Sequence, residues 1–146
     1  MKHLRIVFPN LLFAVLLLIT ACHIQLVPAY DKEIETKIIS GAQLNDKLYI
    51  DLKGKDQDQR KYAAVVSRYD EIESEINSLQ LRIEAQKKNS DFLVIIRNLK
   101  TAFQKYRDEH KSKLTLTDAE IELYKSYIKA YWLPLLQAER GLKITP

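Results

Sequence analysis

Residues 61–88, KYAAVVSRYDEIESEINSLQLRIEAQKK, place Tyr62, Val65, Tyr69, Ile72, Ile76, Leu79 and Ile83 at alternating steps of three and four. Three unbroken heptads of this kind lay one apolar stripe along a helix. The stripe extends the helix to Lys87 or Lys88, about 30 residues and roughly 45 Å. Such a seam faces either the core of a bundle or a second chain. The same sequence holds further helices to cover it, which favours the bundle and a monomer over a coiled-coil dimer. Asp70, Glu71, Glu73 and Glu75 surround its middle and read as a solvated acidic face. They have no partner at metal-ligand spacing.

Upstream, Asp31 caps a helix that runs to about Leu52, with Glu33 in its first turn and a Glu33–Lys37 pair four residues apart. Ile34, Ile38, Leu48 and Leu52 trace its face. Gly41 and Asn45 interrupt the apolar pattern, and Gly41 marks a close helix contact, a bend, or simply a glycine that the helix tolerates. Gly54 and the polar run 53–61 form a turn, with Asp56 and Asp58 as candidate caps for the heptad helix.

Downstream, 87–91 is the next turn, capped by Ser90 or Asp91. The third helix turns Phe92, Ile95, Ile96, Leu99, Ala102, Phe103 and Tyr106 inward. Arg97, Lys100, Arg107 and Lys111, with Gln104 among them, make a basic stripe on its other side. It serves either as a solvated face or as a contact for acidic headgroups or an acidic partner. Thr117 and Glu120 form a capping box, and Leu116 with Ile121 a hydrophobic staple, at the start of a fourth helix. There Ile121, Tyr124, Ile128, Tyr131, Leu135 and Ala138 continue the rhythm to a stop at Gly141, and Pro134 predicts a kink. Tyr127, Trp132 and Leu133 lie off this seam. Tyr127 and Trp132 either widen the buried face or form a binding groove.

The fold expected is therefore all-α, an up-down bundle of about four helices over residues 31–146. Three Gly and four Pro in 146 residues agree with it. Catalysis is not indicated. His23 and His110 have no neighbours that would make a metal pair or a nucleophile and base, His110 stands in a charged connector, and no phosphate loop or serine nucleophile motif occurs. No cofactor, metal or nucleic-acid partner is expected.

The first 21 residues have the layout of a signal peptide: Lys2, His3 and Arg5, then an apolar stretch over 11–19, then Thr20 and Ala21. The stretch is about half the length that spans a bilayer. Removing Lys2 and Arg5 from 23 cations set against 19 acids leaves a net charge of about +2, too weak a bias to point to nucleic acid. Ile19, Thr20, Ala21 and Cys22 resemble the lipobox of bacterial lipoproteins. The resemblance implies cleavage between Ala21 and Cys22 and attachment of a diacylglyceryl group to the Cys22 sulfur. Acylation of the new amino terminus usually follows, with palmitate-type chains holding the protein on the membrane.

An alternative cut after Ala29, using Val27 and Ala29, would release a soluble protein without Cys22. In similar Gram-negative lipoproteins an Asp after the cysteine marks retention in the inner membrane. Here His23 follows, so the resemblance implies the periplasmic face of the outer membrane. Residues 22–30 make a lipidated cysteine and a short tether. Small helical Gram-negative lipoproteins often carry a "YD" soon after the cysteine, here Tyr30 and Asp31. Three functional expectations follow: a non-catalytic binding, adaptor or envelope component; an immunity or inhibitor lipoprotein facing a toxin near the membrane; or a carrier of a small apolar ligand.

Overall fold

The computed structural model describes residues 27–144. The signal peptide, Cys22 and the first part of the tether lie outside the described residues. Four helices follow in order: α1 (Lys32–Lys53), α2 (Tyr62–Ala85), α3 (Ser90–Lys113) and α4 (Asp118–Leu142), with a short 3-10 turn at Gln57–Gln59. Each packs against its chain neighbours, and α4 returns to α1 to close the ring. Ends pair antiparallel: Asp31 at the start of α1 meets Arg82 near the end of α2, and Lys53 at its end meets Glu122 near the start of α4. The expected up-down bundle is the fold.

The seams form one core. All seven stripe residues of α2 are buried in it except Tyr62, which is half-buried. Tyr62 stacks on Tyr69, centroids 5.7 Å apart. The seam of α2 is thus covered from within the chain. On α1, Ile34, Ile38, Leu48 and Leu52 are buried, and so are Gly41 and Asn45 between them. Gly41 makes a close contact: a Cβ there would stand 2.9 Å from Cζ2 of Trp132 and nearer still to Cη2. The indole fills the space a side chain would take.

Several boundaries and pairs differ from those expected. Helix α2 ends at Ala85 because Asn89 turns its side-chain amide back onto the carbonyls of Ile83, Glu84 and Gln86. Lys88, at φ 58°, makes the turn possible. Its length is about 36 Å rather than 45 Å. Asn89, not Ser90 or Asp91, is the N-cap position of α3. Neither Asp56 nor Asp58 caps α2. The backbone N–H of Tyr62 instead donates to the carbonyl of Leu114 in the α3–α4 connector, at 2.9 Å.

The Glu33–Lys37 pair is replaced by tertiary partners on the neighbouring helix α2, Arg82 for Glu33 and Glu75 for Lys37. The capping box on α4 is present, and Leu116 and Ile121 are both fully buried. Helix α4 runs through Pro134 and past Gly141 to Leu142. Its seam also shifts. Trp132 and Glu139 are buried where Tyr131 and Ala138 were expected, because a step of four from Ile128 and another from Leu135 fit the helix repeat equally well.

Candidate functional site

The end of the bundle where the tether arrives holds the densest polar assembly. Pro28 is buried, and the carbonyl of Ala29 accepts from Gln86 Nε2 at 3.2 Å. The Tyr30 hydroxyl donates to Glu35 at 2.7 Å, and Lys143 Nζ lies 4.8 Å from the centre of its ring. Asp31 caps α1 through the N–H of Glu33 and takes two hydrogen bonds from Arg82, at 2.8 and 3.1 Å. Its own N–H donates to Glu139 Oε1 at 2.6 Å. Residues 29–31 are thus bonded to α1, to α2 and the turn after it, and to α4. The part of the tether that precedes α1 is fixed to the bundle, not a loose strand.

Two carboxylates there have opposite environments. Glu35 receives Lys143 at 2.7 Å, Arg140 at 2.8 Å and the Tyr30 hydroxyl, and these three, in that order, hold its pKa down to about 2. Glu139 is fully buried, and its Oε2 has no hydrogen-bond partner. Burial pushes its pKa up from the usual carboxylate range, and the nearby charges of Asp31 and Glu35 add to this against Lys143.

A raised acid favours the folded state most when protonated, so its contribution falls as pH rises from the ordinary carboxylate range through its own folded pKa. Glu139→Gln keeps an oxygen for the Asp31 N–H and removes the charge. The variant is expected to gain stability over the parent near neutral pH, with the gain closing as pH falls toward 4. Denaturant midpoints across that range check this. A difference that does not change with pH would sink it.

At the opposite end, Arg60 is buried and donates to the carbonyls of Lys55, Lys53 and Leu116 and to Asp118, joining the α1–α2 connection to the α3–α4 connection and the start of α4. His110 lies inside α3, fully buried, rather than in a connector. Nε2 faces the carbonyl of Arg60 at 2.9 Å, so it carries the proton, and Nδ1 accepts from the Tyr69 hydroxyl at 3.0 Å. Burial lowers the pKa of His110. It is a neutral, fully bonded core histidine.

The remaining sequence candidates separate. Trp132 is buried against Gly41, whereas Tyr127 is half-exposed and stacks on Tyr106 at 6.0 Å. The two rings go to different places. The basic stripe is divided too: Arg107 binds Asp70 at 2.5 Å and also Glu73, which accepts from Gln104 at 2.7 Å. Part of the acidic face of α2 is therefore an interhelical pairing surface. Arg97, Lys100 and Lys111 form no ion pair among the described residues. No group of three or more His, Cys, Asp or Glu suited to a metal occurs there either.

No family model, curated protein or solved structure matches this chain. Functional weight therefore falls on the chain's own residues. Glu35, Arg60 and Glu139 were not singled out by the sequence pattern. Glu139 had a signal, since it follows Ile128, Trp132 and Leu135 in phase; Arg60 had none.

Proposed function

We propose that this chain is a lipid-anchored protein of a bacterial cell envelope that acts by binding, as an adaptor or envelope component, without catalysing a reaction. One observation carries the reading: Cys22 follows Ile19, Thr20 and Ala21 at the end of a short apolar run, seven positions before Ala29, where the chain is bonded to a helical bundle. Acyl chains on Cys22 would hold the protein stably, each buried methylene contributing about 0.8 kcal/mol. His23 in place of Asp after the cysteine supports the periplasmic face of the outer membrane. No helix of the described residues is long and apolar enough to cross a membrane.

The bundle buries its own seams, so the anchored unit in this reading is a monomer that offers helix faces and connectors to a protein partner. The test is the intact mass of the protein extracted from bacterial membranes, beside a Cys22→Ser variant. The expected mass corresponds to a chain starting at Cys22 plus acyl groups, and the variant lacks it. A mass starting after Ala29, without acyl groups, would overturn the proposal.

A further inference from the structure

The tether end of the bundle is a built surface rather than a frayed terminus. A groove of about 360 Å³ lies between the incoming chain, the α2–α3 turn and the end of α4, lined by Val27, Pro28, Lys88, Ser90, Asp91, Phe92 and Leu142. Around it, Val27 is 40% exposed and Ile144 84% exposed, and Lys87 and Lys88 stand in solvent with no ion pair among the described residues. Apolar side chains beside unpaired lysines suit a lipid–water interface, where the stem enters the headgroup layer and the ammonium meets phosphate.

The tether supplies the geometry. Its described part is bonded to the bundle through Ala29, Tyr30 and Asp31, so the direction in which the chain leaves is set by the fold. From Val27 back to Cys22 is five residues, a reach of at most about 18 Å. That is half the length of a bundle helix, about 36 Å. A bilayer holding Cys22 is therefore within reach of this end and beyond reach of the Lys55 and Lys61 end when the bundle is upright.

We propose that the bundle stands end-on upon an anionic lipid surface, seating on it Val27, the Lys87–Lys88 turn and Ile144. This rests on the anchoring of Cys22 proposed above. The test supplies the anchor chemically, so that a failure of acylation in the cell and a failure of this docking remain distinguishable. The chain from Cys22 onward is coupled through its one thiol to a maleimide-bearing lipid in vesicles of phosphatidylcholine with phosphatidylglycerol. Lysine acetylation by a soluble active ester is then followed by peptide mass spectrometry.

Lys87 and Lys88 are expected to react several-fold more slowly than in the free protein. Lys55 and Lys61, at the other end, should keep their rates, and the slowing should fade when phosphatidylglycerol is left out. Equal rates at the two ends, slowing at Lys125 and Lys129 along α4 instead, or protection unchanged without the anionic lipid would overturn it.

Discussion

Gly41→Ala is expected to destabilise the bundle by about 2 kcal/mol, against the usual direction of a glycine replacement within a helix. Two effects compete. Removing glycine from a helix interior favours the folded state by about 0.5–1 kcal/mol, through lower backbone entropy in the unfolded chain. Here the added methyl would meet the Trp132 ring well inside van der Waals contact, 2.9 Å from Cζ2. The ring is 3% exposed and rigid, so relief requires α1 and α4 to part or the indole to leave its rotamer.

Overpacking of this kind costs roughly 1–3 kcal/mol, and a methyl facing a ring over several atoms belongs at the upper end. The clash therefore wins. Trp132→Leu should remove most of it, so the double variant Gly41→Ala/Trp132→Leu is expected to lose much less than the sum of the single changes. Urea denaturation of the four proteins checks this. Additive losses, or a gain for Gly41→Ala in the parent, would show that the glycine is not there for the indole.

That contact also shows what the pattern could and could not convey. The heptads of α2 are legible because every seam position is apolar, so period and burial coincide. The same rhythm runs through α1 as Ile34, Ile38, Gly41, Asn45, Leu48 and Leu52, and through α3 as Phe92, Ile96, Leu99, Phe103, Tyr106 and His110. A reading that scores apolar residues sees gaps at Gly41 and Asn45, and ends the third seam at Tyr106. Phase would have kept all three.

Tertiary compensation explains why these positions hold non-apolar residues. Gly41 receives a ring from α4, and His110 has both nitrogens bonded to groups on other segments, Tyr69 and Arg60. Such partners lie 41 to 91 residues away in the chain, so no local window reveals them. Asn45 is buried too, and its Oδ1 has no partner; the structure gives no account of it.

Helix ends were legible where a side chain caps its own helix, as Asp31 and Thr117 do. They were not where the cap comes from elsewhere. The N–H of Tyr62 is satisfied by Leu114, far along the chain, and Asn89 serves the end of α2 rather than the start of α3. Charged residues followed the same division. Local spacing proposed Glu33 with Lys37, but helix packing gave each a partner on α2, and Arg107 left the solvated stripe for Asp70 and Glu73. Each exposed pair contributes little stability, and the set favours one ordering of the helices over another.

Ile76→Asn should produce the largest loss, about 4 kcal/mol or more, and should do so without changing the oligomeric state. Ile76 is completely buried at the centre of the α2 stripe, in the cluster that all four helices share. Shortening a buried isoleucine costs about 2–5 kcal/mol through lost transfer energy and the space left behind. An amide placed there without a partner adds about 1–3 kcal/mol of unmet desolvation. The sum is a large share of the 5–15 kcal/mol that holds a typical domain folded, so the variant should sit near or beyond its unfolding threshold at 37 °C.

Leu81→Asn on the same helix is the control, since Leu81 is 69% exposed and surface changes stay within about 0.5 kcal/mol. The comparison also decides between the two fates of a heptad seam. Because the stripe is covered by α1 and α3 of its own chain, within the core that all four helices share, the parent's denaturation midpoint should not depend on protein concentration. A midpoint that rises with concentration, together with a mild effect of Ile76→Asn, would mean that the seam is completed by a second chain.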